Sequence, residues 1–505
     1  MTASKPGTRR GDKSPNSTAS PGPSSTNHRK MTDRSSLSMP TPRPLGQTAA
    51  LPPAVAELIR QANAPGFTAW RANITRAGGC TNPVHLVGTA DTVDTATGEI
   101  LHTHTSADGR LLVACGNRRA TVCPTCSRLY RGDTYQLIRA GLIGGKDTPG
   151  TVTAHPRAFV TLTAPGFGPV HTRREIGGKV QRCRPRRAGG TCPHGLPLGC
   201  PIRHTEEDAQ LGEPLCPNCY DYPGAVLWQA HAGALWHRFT IQLRRELARA
   251  GGMSRARLAR MLRLSFAKVA EYQRRGLVHF HAVIRLDGPT GPEDEPPGWA
   301  TLPVLEAAIH GAAKRVRVLA PGAEVLGRRL ELRFGRQLDV RPIDAFGPGE
   351  RITSAAVAGY IAKYATKGAE SAGAVDRRIR HLSELESIPL RPHARRMIET
   401  CWELGGLEPL ADLALRRWSH MLGFRGHFST KSRHYSTTLG TLRQTRTDHR
   451  AAERARRLGL ADRPTLVIGH WRYAGRGYTP AEALIASASA SADPGGEGAP
   501  WLNVS

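Results

Sequence analysis

Long apolar runs are missing: nowhere in the 505 residues do 18 or more apolar residues follow one another. A membrane-spanning helix needs about 20 of them, so none is predicted and no membrane partner is expected. The opening residues, MTASKPGTRRGDKSP, lack the apolar segment of a secretory signal, which points to a cytoplasmic protein. Carboxylates are scarce beside the bases. Asp and Glu number 41 against 70 Lys and Arg, a formal net charge of +29. Such a balance disfavours basic partners and favours a polyanion, nucleic acid first. The plainer alternative is an Arg-rich soluble protein that binds nothing. No GxxxxGK[ST] loop is present, so the chain is not expected to unwind a duplex by itself. No internal repeat is visible.

What is present falls into segments. Residues 1–50 are rich in Ser, Thr, Pro and Lys/Arg, cannot bury enough apolar surface to order themselves, and read as a disordered basic arm. Residues 484–505 read as a disordered tail. Between them lie a helix with a Cys-rich module (51–150), a mixed domain with a second Cys-rich insert (151–375, insert 181–223) and a helical, basic C-terminal region (376–483). AFVTLTAP, SFAKVAEYQ and LVHFHAVIRL read as strands, and ITSAAVAGYIAKYATKGAE (352–370) as a helix closed by Gly368. Strands mixed with helices, and a hairpin among them, predict an α+β fold with a central antiparallel sheet flanked by helices, zinc-binding inserts and disordered termini.

His279 and His281 stand two apart in LVHFHAVIRL and so share one face of a strand. If Arg274-Arg275-Gly276 is a three-residue hairpin loop, Gln273 pairs with Leu277 and Glu271 lies opposite His279. A one-residue slip would move Glu271 to the other face. Two neutral imidazoles and a carboxylate suit a divalent ion with open coordination positions, Mg²⁺ or Mn²⁺. Gln273 or a more distant group is an alternative third ligand, and two half-buried histidines without any ligand are the plain alternative. In the helix, Tyr360, Lys363, Tyr364 and Lys367 fall on one stripe, anchored by Val357, Ile361 and Ala365 on other faces. A phenol is a covalent nucleophile that needs activation, and neighbouring ammonium groups favour phenolate and offset phosphate charge. The alternative is an amphipathic helix whose tyrosines only pack.

Nine of the ten cysteines fall in two groups, which in a reducing compartment points to metal rather than to disulfides. Cys80, Cys115, Cys123 and Cys126 offer four thiolates, two of them in a CPTC knuckle. In the second group, Cys183, Cys192, Cys200, Cys216 and Cys219 lie near His194 and His204. Cys200 with the Cys216–Cys219 knuckle, Cys192 as fourth ligand and His204 as its competitor are the expected set. Two structural Zn²⁺ ions are thus expected, free or redox-active thiols being the alternative. Farther on, GFRGHFSTKSRHYSTTLGTLRQTR interleaves basic, aromatic and hydroxyl residues. Arg425, Lys431 and Arg433 read as phosphate contacts, and Phe424, Phe428 and Tyr435 as stacking platforms for single-stranded bases.

Taken in order, FVTLTAP, GLVHFHAVI and YIAKYATK resemble the three motifs of the HUH endonuclease superfamily. Histidine strand before tyrosine helix is the order of rolling-circle initiators, and the tyrosine pair resembles the two-tyrosine type. CGNRRATVCPTCSRLYRGD, PLCPNCYDYPGAVLWQAHAGALW, HFSTKSRHYSTTLG and WRYAGRGYTPAEAL are similar to the replication initiator proteins of actinobacterial plasmids and integrative elements, over about residues 75–480. The resemblance implies an HUH-type domain that nicks one DNA strand at an origin. His279, His281 and Glu271 would hold the metal, and Tyr360 or Tyr364 would form a 5′-phosphotyrosine link. Lys363 and Lys367 would steady developing charge, and the freed 3′-hydroxyl would serve a host polymerase, with a host helicase recruited. An HUH transposase and a non-catalytic zinc-containing DNA-binding regulator are the alternatives.

Overall fold

The computed structural model describes residues 51–344 and 352–491. The expected arm at 1–50 and residues 492–505 of the expected tail lie outside that range. Two helices, α1 (Pro53–Ala62) and α2 (Phe67–Arg76), precede the long hairpin β1 (Val84–Asp94) and β2 (Ile100–Val113). Then follow α3 (Pro124–Ile143) and β3 (Arg157–Leu162), and an insert with one small strand pair, β4 (Glu175–Ile176) and β5 (Lys179–Val180). Helices α4 (Tyr222–Ala250) and α5 (Arg255–Met261) lead into the hairpin β6 (Arg263–Tyr272) and β7 (Val278–Asp287). Helix α6 (Leu302–Arg315) is followed by β8 (Val318–Leu319), β9 (Glu331–Leu332), β10 (Leu338–Asp344) and β11 (Ile352–Thr353). The chain continues through α7 (Ser354–Ala365), α8 (Pro392–Leu404), β12 (Ser429–Lys431), α9 (Leu439–Arg457), β13 (Thr465–Arg476) and α10 (Pro480–Ser491).

A six-stranded sheet in the order β11-β10-β3-β7-β6-β12 forms the centre, antiparallel except for the β10–β11 pair. Alternation along β7 sets its two faces. Phe280, Ala282, Ile284 and Leu286 join α4, through Trp228, Leu235, Phe239 and Leu243, in the large apolar core. The other face of the sheet contributes Phe159, Val269 and Val283 to a second core with Leu137, Ile138 and Leu142 of α3 and Val357, Ile361 and Ala365 of α7. Asp221 starts α4 by accepting from the Gly224 amide, and Thr353 does the same for α7 through Ala356. Each cap satisfies an amide that the first turn cannot pair.

Three expectations need correction. The region 376–483 is not simply helical: β13 is a 12-residue strand that pairs with β1, so the second sheet has the order β13-β1-β2. The supposed tail from 484 is helical up to Ser491, because Ala486 closes a small core with Trp70, Ile74 and Leu112. The tyrosine helix also ends early, at Ala365 with Thr366 as its cap, and Lys367 lies beyond it. No described helix is long and apolar enough to cross a membrane.

Candidate functional site

The β6–β7 turn is the three-residue loop Arg274-Arg275-Gly276. The Gln273 amide donates to the Leu277 carbonyl at 2.9 Å, and Gly276 takes the positive φ of 74° that such a loop demands. Glu271 therefore faces His279 and Val269 faces His281. The side chains then cross: the Glu271 carboxylate meets His281 Nε2 at 2.7 Å rather than its direct neighbour. Thr161 on β3 fixes the other nitrogen of His281 at 3.0 Å, and Phe159 stacks on that ring at 5.8 Å between centroids. His279 stands 5.9 Å from His281, centre to centre, and its Nε2 is buried without a hydrogen-bond partner. Burial, then the charges of His281 and Arg275, push the His279 imidazole down to about 3, so at neutral pH it is a neutral, electron-pair-donating ring. Gln273 turns its side-chain oxygen to Arg275 and leaves Glu271 as the carboxylate of this face.

Helix α7 brings Tyr360 over the same face. Its hydroxyl is 3.3 Å from Glu271 Oε2 and 3.4 Å from His281 Nε2, while its ring packs edge-on against Phe159 and stays 38% exposed. Tyr364, one turn on, lies 4.6 Å from Tyr360 and stacks on His281 at 6.0 Å. The ammonium groups of Lys363 and Lys367 stand 5.7 and 5.0 Å from the Tyr364 ring centre. Lys367 reaches that ring from beyond the last helical turn. Burial and the Glu271 carboxylate hold both phenols above their ordinary range, so cationic charge must arrive before either ionises. The structure thus gathers His281, Glu271, Tyr360 and Tyr364 at bonding or stacking distance, with His279 beside them. His279, His281 and Glu271 do not close as tightly as the cysteine sets, whose ligand atoms all lie within 4.8 Å.

Cys80, Cys115, Cys123 and Cys126 form one such set. Sulfur–sulfur distances are 3.7 Å for Cys115–Cys126 and 3.8 Å for Cys80–Cys123, and backbone amides of Cys115 and Thr81 point at two of the sulfurs. The second expected set is corrected. Cys200 and His204 do not join the Cys216–Cys219 knuckle: they group with His171 and Cys183, while Cys192, Cys216 and Cys219 group with His194. Cys401 is buried in α8, as a core residue.

The expected stacking platforms are also corrected. Phe424 and Tyr435 are fully buried and Phe428 nearly so, because β12 adds to the edge of the central sheet and turns this segment into the core. Arg118 caps the Phe428 ring at 4.0 Å, and the Tyr435 hydroxyl donates to Ile138. Lys431 is an internal strut whose ammonium donates to the carbonyls of Ser432, Arg433 and Ser436. Arg425 and Arg433 are exposed. The basic helix readable in RTDHRAAERARRLG is the second half of α9, and its Arg450, Arg454 and Arg457 face Arg76, His104 and Trp471 across a concave surface that the sequence did not reveal. Thr161 was also missed, although the alternation in FVTLTAP places it on the same face as Phe159.

Residues 66–491 match the family described as replication initiator protein, pSAM2 (RepSA). A replication initiator protein of Streptomyces ambofaciens is 51% identical over 446 residues, covering 86% of this chain and 92% of that protein. No solved structure matches the chain. With its family match spanning nearly all described residues, the chain belongs to the pSAM2-type replication initiator proteins.

Proposed function

We propose that this chain starts rolling-circle replication as an HUH-type nickase, with Tyr360 as first nucleophile. One observation carries the reading: the Tyr360 hydroxyl lies within 3.4 Å of both the Glu271 carboxylate and His281. Glu271 takes the phenol proton while Tyr360 Oη attacks the scissile phosphorus. The bond to the 3′ oxygen breaks, that oxygen takes a proton from water, and the 5′ phosphate stays esterified to Tyr360. The freed 3′-hydroxyl primes a host polymerase, and unwinding falls to a host helicase. Tyr364, whose ring centre lies 4.6 Å from that of Tyr360, would attack in a second cleavage that closes the circle. Lys363 and Lys367 balance the charge that develops on the phosphate.

His279, His281 and Glu271 fit a divalent ion such as Mg²⁺ or Mn²⁺, because His279 keeps a buried nitrogen without a partner and the set offers two imidazoles and a carboxylate. Such an ion supplies Lewis-acid charge at the phosphate. The carboxylate has two oxygens and can serve both the ion and the phenol. Thr161 and Phe159 hold the His281 ring in place. Duplex DNA around the nick would run over the exposed arginines of α9, whose guanidinium groups would contact its phosphates.

The test incubates purified protein with supercoiled plasmid carrying the DNA adjacent to its gene, with Mn²⁺ or with EDTA. A nicked circle with protein on the 5′ end is expected only with Mn²⁺. Cleavage and covalent capture that survive in a Tyr360→Phe, Tyr364→Phe double variant would overturn the reading.

A further inference from the structure

We propose that the insert between β3 and α4 holds two separate zinc ions, one on Cys192, His194, Cys216 and Cys219 and one on His171, Cys183, Cys200 and His204. Four ligands at Zn–S of about 2.3 Å and Zn–N of about 2.0–2.1 Å, set tetrahedrally, stand roughly 3.3 Å apart for two nitrogens and about 3.5–3.8 Å when sulfur is involved. The insert shows these edges. His171 Nδ1 and His204 Nε2 are 3.2 Å apart, and Cys200 Sγ lies 3.5 Å from His204 Nε2. In the other set, His194 Nδ1 lies 3.3 Å from Cys219 Sγ and 3.6 Å from Cys216 Sγ.

The surroundings are those of metal ligands. His204 turns Nε2 to its set while Nδ1 meets the Asp208 carboxylate at 2.6 Å, the support that fixes a ligating imidazole. Cys183 Sγ accepts from the Thr172 amide at 3.1 Å, as a thiolate does. None of the cysteines is in a disulfide. Nor does the insert have another way to hold its shape. Between residues 171 and 219, the buried apolar side chains are Cys183, Cys192, Cys200, Cys216, Leu211 and Pro214. Its regular structure is one pair of two-residue strands, isolated bridges and a short 3-10 turn at Pro217–Cys219. A module with so small a core needs cross-links or metal to stay folded. Thiolate with imidazole in closed tetrahedral sets selects zinc, in a structural role.

The second ion has a specific neighbour. Asp208, held by His204, accepts from the Gln210 amide, and its carbonyl accepts from Leu211. Gly212 then packs on the Arg274 carbonyl so closely that a Cβ there would lie 2.5 Å from it. Arg391 ties Leu211 and Ala209 to Arg274. The ion on His204 therefore orders the segment that clamps the Arg274-Arg275-Gly276 turn.

Metal content of the full chain, by native mass spectrometry and by elemental analysis, decides the matter without any activity assay. Three zinc ions per chain are expected, counting the Cys80 set. Cys183→Ser and Cys216→Ser should each lose one, and the double variant two. Fewer than three in the wild-type chain, or a double variant no poorer in zinc than either single one, would refute two separate sites. The wild-type count stands even if a variant fails to fold.

Discussion

Two polar clusters sit on the same face of β7, a few residues apart, and they are built to opposite ends. At the far end Arg285 and Asp287 are wholly buried, joined by two hydrogen bonds, and Asp287 also meets His155 at 2.8 Å and Ser265. Arg285 spends its remaining donors on the carbonyls of Gly141, His434 and Tyr435. That cluster is sealed and pins α3 and the segment before α9 to the sheet. At the near end, Glu271 and Tyr360 are part exposed, and a buried His279 nitrogen has no partner. Charge enclosed by its own counter-charge serves structure. Donors and acceptors left open toward solvent can take a ligand.

The comparison can be broken at either end. Replacing both Tyr360 and Tyr364 by Phe should reduce covalent DNA capture to background, read on denaturing gels, while the thermal midpoint stays near wild type. Asp287→Ala should do the reverse and unfold the protein more easily by about 3–5 kcal/mol, since it strands a buried guanidinium. Urea titration measures this, and a loss no greater than that of a surface substitution would contradict the sealed-cluster account. Thr161→Val frees one side of the His281 ring and should lower cleavage by about 10–100-fold with little change in stability, in proportion to a lost ligand-orienting partner. The smallest effect is on pH. Burial holds His393, set between Tyr222 and the Arg275 carbonyl, down to about 4 against its ordinary 6.5. Below 6.5 the unfolded chain binds a proton that the folded one refuses, so stability is full above that pH and falls as the pH drops toward 4. A flatter acid limb of the urea midpoint in His393→Gln is the expected sign.

How much of this was legible depended on whether the deciding contact was local. The histidine hairpin was readable because its register follows from a three-residue loop ending in glycine and from strand alternation, both written within 17 residues, 271–287. The stripe of Tyr360, Lys363 and Tyr364 was readable from helical spacing, but not the early stop at Ala365. The stacking aromatics were misread because a basic, aromatic segment looks the same on a surface as on an edge strand; only the pairing of Ser429–Lys431 with Ala267–Val269 separates the two. The partition of the insert's ligands was hidden for the same reason. His171 is 12 residues from Cys183, and nothing local assigns Cys200 to one set or the other. Strand β13 was missed despite a clear signal, TLVIGHWRY, whose β-branched and aromatic residues alternate poorly with its basic context.

The placement of β13 has a consequence for synthesis. All four elements that build the histidine–tyrosine face, β3, β6, β7 and α7, leave the ribosome before residue 366, whereas β13 and α10 follow from Thr465 onward. Until then β1 is paired on one side only, and the core of Trp70, Ile74 and Leu112 waits for Ala486. A copy broken off between α9 and β13 would carry the whole histidine–tyrosine face and also a bare sheet edge, a surface that recruits other strands and is cleared as misfolded protein. The second sheet is thus complete only when translation has gone past the last strand.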